Sequence, residues 1–103
     1  MLDYARERYS LICADLSGAN LAGARIGGAV FIGARLIGAD LSGVNAITLI
    51  AHRPTRFDGA DLTEARLKGA QLAGAVYDGL TRFPRRFNVA KAGLRRAKER
   101  DQR

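Results

Sequence analysis

The chain has 103 residues and a net charge of +7; 48% of its residues are hydrophobic, twelve are glycine and two are proline. This length and composition fit one domain with a buried core and exclude a disordered Pro/Gly-rich chain. A single cysteine and a single histidine exclude a disulfide framework, a metal site built from these two residue types, and most enzymes that depend on His or Cys chemistry.

The first nine residues, MLDYARERY, are predicted to form a short helical N-terminal cap (residues 1–9) with Leu2, Ala5 and Tyr9 on one face. Charges stand where a signal peptide needs an apolar run, so we expect no export and a cytoplasmic location. The longest uncharged stretch, residues 41–52, has twelve residues, whereas about 20 are needed to cross a bilayer. We therefore predict no integral membrane span.

Residues 10–81 carry a repeat with a period of five. Each of the twelve units has a large apolar residue at its centre; ten have an alanine two residues earlier and ten have a glycine two residues later, as in ADLSG, ANLAG and ARLIG. This period fits neither a helix nor a flat strand, but it fits a chain that turns a corner every five residues. The centre and the alanine then point inward, and the glycine occupies the position of a type II turn that requires a positive φ.

This pattern resembles the pentapeptide-repeat family, whose unit is Ala, Asp or Asn, Leu and two variable residues; the resemblance covers about residues 9–79. It implies an all-β fold: a right-handed quadrilateral β-helix with four repeats per coil. About three coils would stack at roughly 4.8 Å, between short N-terminal and C-terminal helical caps. The segment YDGLTRFPRRFN, residues 77–88, also resembles the closing segment of cyanobacterial members.

The repeat is interrupted between Leu41 and Phe57, which are sixteen residues apart instead of fifteen. We predict a one-residue insertion near residues 52–56, which form a small protruding loop containing a proline that cannot donate to the ladder. A loop that takes in all of residues 44–56 is the alternative. The residues predicted to continue the inward series are Val44, Ala46, Leu49 and Ala51.

The excess charge lies at the C-terminal end. Up to Thr81 the chain has eight bases and eight acids, whereas residues 82–103 have nine bases and two acids. This segment is predicted to be a C-terminal cap and basic tail, with Phe83 and Phe87 on the last coil and a helix over residues 89–100 that begins after Asn88. Because that helix has little apolar area, we predict that the fold survives without it. The bases proposed as an electrostatic anchor are Arg85, Arg86, Lys91, Arg95, Arg96, Lys98 and Arg100.

Residues twenty apart are expected to lie above one another on one wall of the β-helix. The wall centred on Leu11, Phe31 and Ala51 then carries four β-branched residues at outward positions. We call them the apolar wall, a candidate protein-contact patch; the alternative is that β-branched residues suit a strand. The members are Ile12, Val30, Ile32 and Ile50.

Other residues whose side chains could take part in catalysis or ligand binding are interpreted as structural. Cys13 has no base nearby in sequence, and the loop residue His52 has no evident partner. The acids of the repeat, Asp15, Asp40 and Asp61, are expected to face solvent or to bond the local backbone. We assign no catalytic, cofactor-binding or metal-binding residue, and we predict that the chain is not an enzyme.

These features favour a non-enzymatic interaction or scaffold module: a small subunit that docks on a larger protein assembly through the apolar wall and the basic tail. The alternative is a nucleic-acid-associated protein that binds through the tail, although no reading motif is present. Anionic lipid headgroups also fit a basic tail. Some proteins of the family it resembles mimic DNA and bind type II topoisomerases. That mimicry needs an acidic surface, whereas this body is neutral and its tail is basic.

Overall fold

The computed structural model describes residues 9–50 and 52–98. Its backbone is mainly a ladder of isolated parallel bridges between residues that lie far apart in sequence. Near the N-terminus the bridged residues are twenty apart, as in Asp15 with Arg35 and Asn20 with Asp40. The chain therefore forms stacked layers that are joined by parallel hydrogen bonds. The predicted cap at residues 1–9 lies outside the described residues apart from Tyr9.

The corners of the layers are hydrogen-bonded turns. The N–H of Ala34 donates to the carbonyl of Phe31 at 3.0 Å, and the same pattern recurs from repeat to repeat. Gly38 has a φ of 68°, in agreement with the predicted type II geometry. Cys13 and Glu64 stand at the glycine position with φ values of 57° and 59°. The repeat geometry therefore imposes the turn even where a side chain adds strain.

The centres and alanines of the repeats form one hydrophobic core. Phe31 and Phe57 stack at its middle, with ring centroids 5.2 Å apart and planes 6° from parallel. Leu36, Leu41 and Leu62 are buried around them. The predicted inward series is thus confirmed across the middle layers, where each centre has a layer above and below it.

The insertion is larger than the sequence count predicts. The bridges that enclose residues 47–54 join residues 26 apart, as in Val30 with Arg56, so this layer holds six residues more than the twenty of its neighbour. Leu49 is 99% exposed, and the predictions of a one-residue insertion and an inward Leu49 are wrong. The reason is that Phe57, an aromatic ring with a large area to bury, takes the place over Phe31 that counting had given to Ala51. Ala51 lies outside the described residues.

Residues 47–50 and 52–54 belong to a loop, here called the 47–54 loop, that is seated on the corner at Gly27 and Gly28. The fully buried hydroxyl of Thr55 accepts the N–H of Gly28 at 2.9 Å and donates to a backbone carbonyl. A Cβ at Gly27 would overlap the carbonyl oxygen of Ile47. This close approach explains why the repeat ARIGG has a second glycine.

We expect Gly27→Ala to lower the free energy of unfolding by about 1–3 kcal/mol, because the new methyl group overpacks the seat of the loop. Urea denaturation measures the effect. Ala22→Ser is the matched control, since Ala22 is the exposed residue at the same position of the preceding repeat. Equal stability of the two variants would contradict the close packing of the loop against Gly27.

The C-terminal region contains the three regular elements that the described residues form: strand β1 (Val76–Tyr77), helix α1 (Val89–Ala92) and strand β2 (Arg95–Arg96). The side chain of Asn88 caps α1 by accepting the N–H of Lys91 at 3.0 Å. The predicted N-cap is therefore present. The helix predicted over residues 89–100 ends early, because Gly93 takes a left-handed conformation with a φ of 82° and turns the chain back towards the stack.

The residues after α1 extend the ladder. The N–H of Arg95 donates to the carbonyl of Ala75 at 2.8 Å, and the N–H of Ala97 donates to that of Tyr77 at 2.7 Å. Strand β2 pairs in parallel with β1, and Leu94 packs against the core. The tail is thus folded in this part, and the prediction that the fold does not need it has no support in these contacts.

Candidate interaction site

The acids of the repeat serve the turns. The carboxylates of Asp15, Asp40 and Asp61 accept the N–H two residues further along at 3.0–3.1 Å. Hydrogen bonds from the hydroxyl and N–H of that serine or threonine hold the pKa of each carboxyl below its ordinary value. Within residues 9–50 and 52–98, no three His, Cys, Asp or Glu side chains are grouped to hold a metal ion.

Asp78 forms a polar clamp that sequence reasoning missed. Its carboxylate accepts the N–H of Gly59 at 2.9 Å and the N–H of Leu80 at 2.9 Å. The hydroxyl of Thr81 donates to the carbonyl of Phe57 at 2.8 Å. Burial alone would raise the pKa of Asp78, but these N–H donors and Thr81 outweigh it and lower the pKa. The aspartate followed three residues later by threonine, within the turn YDGLT, was the available signal.

We expect Asp78→Ala to lower the free energy of unfolding by about 1–2 kcal/mol at pH 7, because two N–H donors lose a charged acceptor and solvent screens part of the effect. The folded pKa lies below the ordinary 3.8. The stabilisation is therefore complete above pH 3.8 and is lost as the pH falls through the lower, folded value.

Denaturation curves at pH 7 and at pH 2–3 measure this difference. The control is Asp15→Ala, which removes an exposed carboxylate whose hydrogen bond lies within its own turn. A cost for Asp78→Ala that stays the same at both pH values would contradict the charged clamp.

The structure brings two members of the apolar wall together. Ile12 is 54% exposed, and the N–H of Cys13 joins its segment to the carbonyl of Ile32 in the next layer at 2.9 Å. Val30 is only 8% exposed, and Ile50 lies in the 47–54 loop, off the ladder, because Phe57 takes the position assigned to Ala51. In the layer after Ile32 the ladder continues through Asp58, so the apolar surface on this wall comes from the exposed Ile12 and the half-buried Ile32.

Other exposed apolar side chains were missed by sequence reasoning. Leu49 is at the tip of the loop, Ile47 is at its base and Leu80 is on the Asp78 turn. No signal in the repeat identified Leu49, since counting by five placed it inward. Cys13 and His52 are both exposed.

The strongest electrostatic feature is a folded basic surface at the C-terminal end, here called the basic end. Between residues 79 and 98 the sequence has seven bases and no acid. All seven side chains are exposed, and the guanidinium of Arg96 lies 5.9 Å from the centre of the Tyr77 ring. Arg100, the remaining predicted anchor residue, lies outside the described residues. The members of the basic end are Arg82, Arg85, Arg86, Lys91, Arg95, Arg96 and Lys98.

The repeat geometry has a counterpart among known families. A family model described as pentapeptide repeats matches residues 10–45 and 55–76 with eight copies, which together make up more than half of the chain. The chain belongs to the pentapeptide-repeat family. The gap in the match coincides with the 47–54 loop, so the pentapeptide repeats stop where the bridges leave the twenty-residue spacing.

Solved structures of pentapeptide repeat proteins resemble this chain. One from Nostoc Pcc 7120 is 31% identical, covers 87% of this chain and 86% of its own, and has a TM-score of 0.58. One from the Arabidopsis thaliana thylakoid lumen is 32% identical, over 73% and 51% of the two chains, with a TM-score of 0.35. One from the cyanobacterium Cyanothece 51142 is 28% identical, over 72% and 53%, with a TM-score of 0.29. The comparison with curated proteins gives no match.

Two general properties are known for the pentapeptide-repeat family. Pentapeptide-repeat proteins form right-handed quadrilateral β-helices, and they are generally non-enzymatic structural or interaction modules. In the part of the chain that the structure describes, no helix is long and apolar enough to cross a membrane.

Proposed function

We propose that this pentapeptide-repeat protein is a small subunit that docks on a larger protein assembly and catalyses no reaction. In this proposal a β-helix of about three coils, with caps at residues 1–9 and 82–103, holds two contact surfaces in fixed positions. The exposed Ile12 and the half-buried Ile32 of the apolar wall provide apolar area, and the basic end provides charge. The observation that carries the proposal is the basic end, with seven exposed bases and no acid between residues 79 and 98.

A folded basic surface favours an anionic partner. Bases held on a rigid surface raise the rate of encounter with an acidic surface and lose less conformational entropy than bases on a loose tail. Screening over about 8–10 Å at physiological ionic strength makes such binding sensitive to salt. The partner surface is therefore expected to be acidic.

Nucleic acid is the second candidate, because arginine binds phosphate groups well. Single-stranded nucleic acids also need aromatic side chains on which their bases stack. Here Phe83 and Phe87 pack against the core, and Arg96 lies over the Tyr77 ring. The basic end thus offers charge without a stacking platform, which favours an acidic protein.

The test is affinity capture from the cells that make the protein, followed by mass spectrometry. Wild-type bait is compared with Ile32→Lys and with an Arg85→Glu/Arg95→Glu double variant, and Arg25→Glu serves as the exposed charge-reversal control on the body. We expect the double variant to lose the captured assembly, Ile32→Lys to weaken capture and the control to retain it. If the double variant still captured the assembly, the basic end would not be the contact surface. If nuclease treatment abolished capture, the result would favour a nucleic acid as the partner.

A further inference from the structure

The outer edge of strand β2 has backbone groups without partners among the described residues. In a parallel strand, successive residues direct their N–H and C=O groups to opposite sides. Arg95 and Ala97 use their N–H groups to bond the preceding layer. The groups of Leu94 and Arg96 face the other way, and neither the Arg96 N–H nor the Leu94 C=O bonds a described residue. This edge is a template for one more parallel strand.

Positive charge surrounds the same edge. Arg95, Arg96 and Lys98 are exposed on or beside β2, and Lys91 is exposed on α1 just before it. Charged residues on an edge strand commonly prevent pairing between identical chains. A second copy joined through this edge would place arginine next to arginine, and this repulsion costs affinity. Like-charge repulsion therefore disfavours pairing with a second copy of this chain, and the positive charge is complementary to an acidic strand.

Backbone chemistry distinguishes the two polyanions that this charge would attract. An added strand must accept the N–H of Arg96 and donate to the C=O of Leu94. A peptide has both groups in each residue, whereas a phosphate backbone has acceptors alone. An extended acidic peptide thus fits both the charge and the hydrogen-bonding groups of the edge, and a nucleic acid fits the charge only.

We infer that the outer edge of β2 binds an extended, acidic segment of a partner protein by adding it to the ladder as a further strand. This inference rests on the proposed function, since it specifies how the basic end holds its partner. Affinity comes from the ladder hydrogen bonds together with carboxylates placed against Arg95, Arg96 and Lys98. Specificity comes from the like-charge repulsion that excludes other copies of this chain.

The experiment measures fluorescence anisotropy of the full-length protein with three labelled probes. The first is an eight-residue peptide of alternating glutamate and valine. The second is the same peptide with every backbone nitrogen methylated, which keeps the charge and removes all of its backbone donors. The third is an oligothymidylate of the same net charge. We expect the first peptide to bind at least tenfold more tightly than the other two.

Two pairs of variants locate the site. Arg95→Glu is expected to weaken binding of the first peptide at least tenfold, whereas Arg25→Glu, the same change of charge on an exposed body position, leaves it unchanged. Arg96→Pro and Arg96→Ala remove the same side chain, but only proline also removes the outward N–H. Proline is tolerated at an edge whose N–H faces solvent, so we expect the proline variant to remain folded and to bind at least fivefold more weakly than the alanine variant.

The outcomes separate this inference from the proposed function. Equal binding of the methylated and unmethylated peptides would overturn strand addition and leave the basic end as a purely electrostatic surface. Tighter binding of the oligothymidylate would overturn the acidic-peptide partner. If thermal melting shows that Arg96→Pro does not fold, the comparison of the methylated and unmethylated peptides still tests strand addition. The proposed function is tested separately, by affinity capture with the Arg85→Glu/Arg95→Glu double variant. That experiment uses neither probe peptide.

Discussion

Leu36→Asp is expected to leave the protein unfolded at 25 °C. Leu36 is 0% exposed and sits in the core cluster that contains the Phe31–Phe57 stack. An unpaired buried charge costs about 3–5 kcal/mol and the lost leucine contacts cost about 2–5 kcal/mol more. Small domains have about 5–15 kcal/mol in total. Loss of the cooperative thermal transition, followed by circular dichroism, measures the effect.

Leu49→Asp is the matched control, because it makes the same chemical change at a side chain that is almost fully exposed. We expect its free energy of unfolding to stay within about 0.5 kcal/mol of wild type. The pair also tests the position of the loop. If Leu49→Asp were as damaging as Leu36→Asp, Leu49 would be a core residue, as counting by five predicts, and the six-residue insertion would be wrong.

The sequence predicts the repeat well because the repeat is a local code. The inward centre, the small alanine and the glycine with positive φ all lie within five residues, and Gly38 and Phe31 occupy the predicted positions. The chain can be read through each corner without knowledge of distant contacts. Cys13 and Glu64 show the strength of that code, since they take the glycine conformation without being glycine.

The loop and the C-terminal strand were mispredicted because both depend on contacts between layers. Whether Ala51 or Phe57 covers Phe31 is decided by stacking across more than twenty residues of sequence, and a count along the chain does not include it. The second glycine of ARIGG was the local sequence signal for the loop. Gly27 has no role in the five-residue period, and a Cβ there would overlap the carbonyl oxygen of Ile47. Likewise, the sequence RRAKER has strong helix propensity, but pairing with β1 places Arg95 and Arg96 in a strand.

The same distinction applies to the candidate sites. The basic end follows directly from the composition of residues 82–98, and its exposure agrees with that expectation. The apolar wall depended on a layer length of twenty, so the six-residue insertion removed Ile50 from the wall and left Ile12 and Ile32 together. A site that depends on register is lost when the register shifts, whereas a site that depends on local charge is retained.

A chain that ends after Asn88 is expected to lose at least about 3 kcal/mol of its free energy of unfolding, because three ladder hydrogen bonds disappear at roughly 1 kcal/mol each. These bonds join Gly93, Arg95 and Ala97 to the layer that contains β1. The same cut uncovers Val76, which is now fully buried, and it removes the contact of Leu94 with the core. Urea denaturation of the truncated chain measures the loss.

A chain that ends after Lys98 is the matched control, since it removes residues 99–103 and keeps every one of these contacts. Because it keeps the three ladder hydrogen bonds, we expect its free energy of unfolding to exceed that of the chain that ends after Asn88 by at least about 3 kcal/mol. If the chain that ends after Asn88 were equally stable, residues 89–98 would be a dispensable tail, and the basic end would have no fixed geometry. A large difference between the two truncations instead ties the charge to the fold: Arg95 and Arg96 are held where β2 closes the ladder, so their positions are as rigid as the layer beneath them.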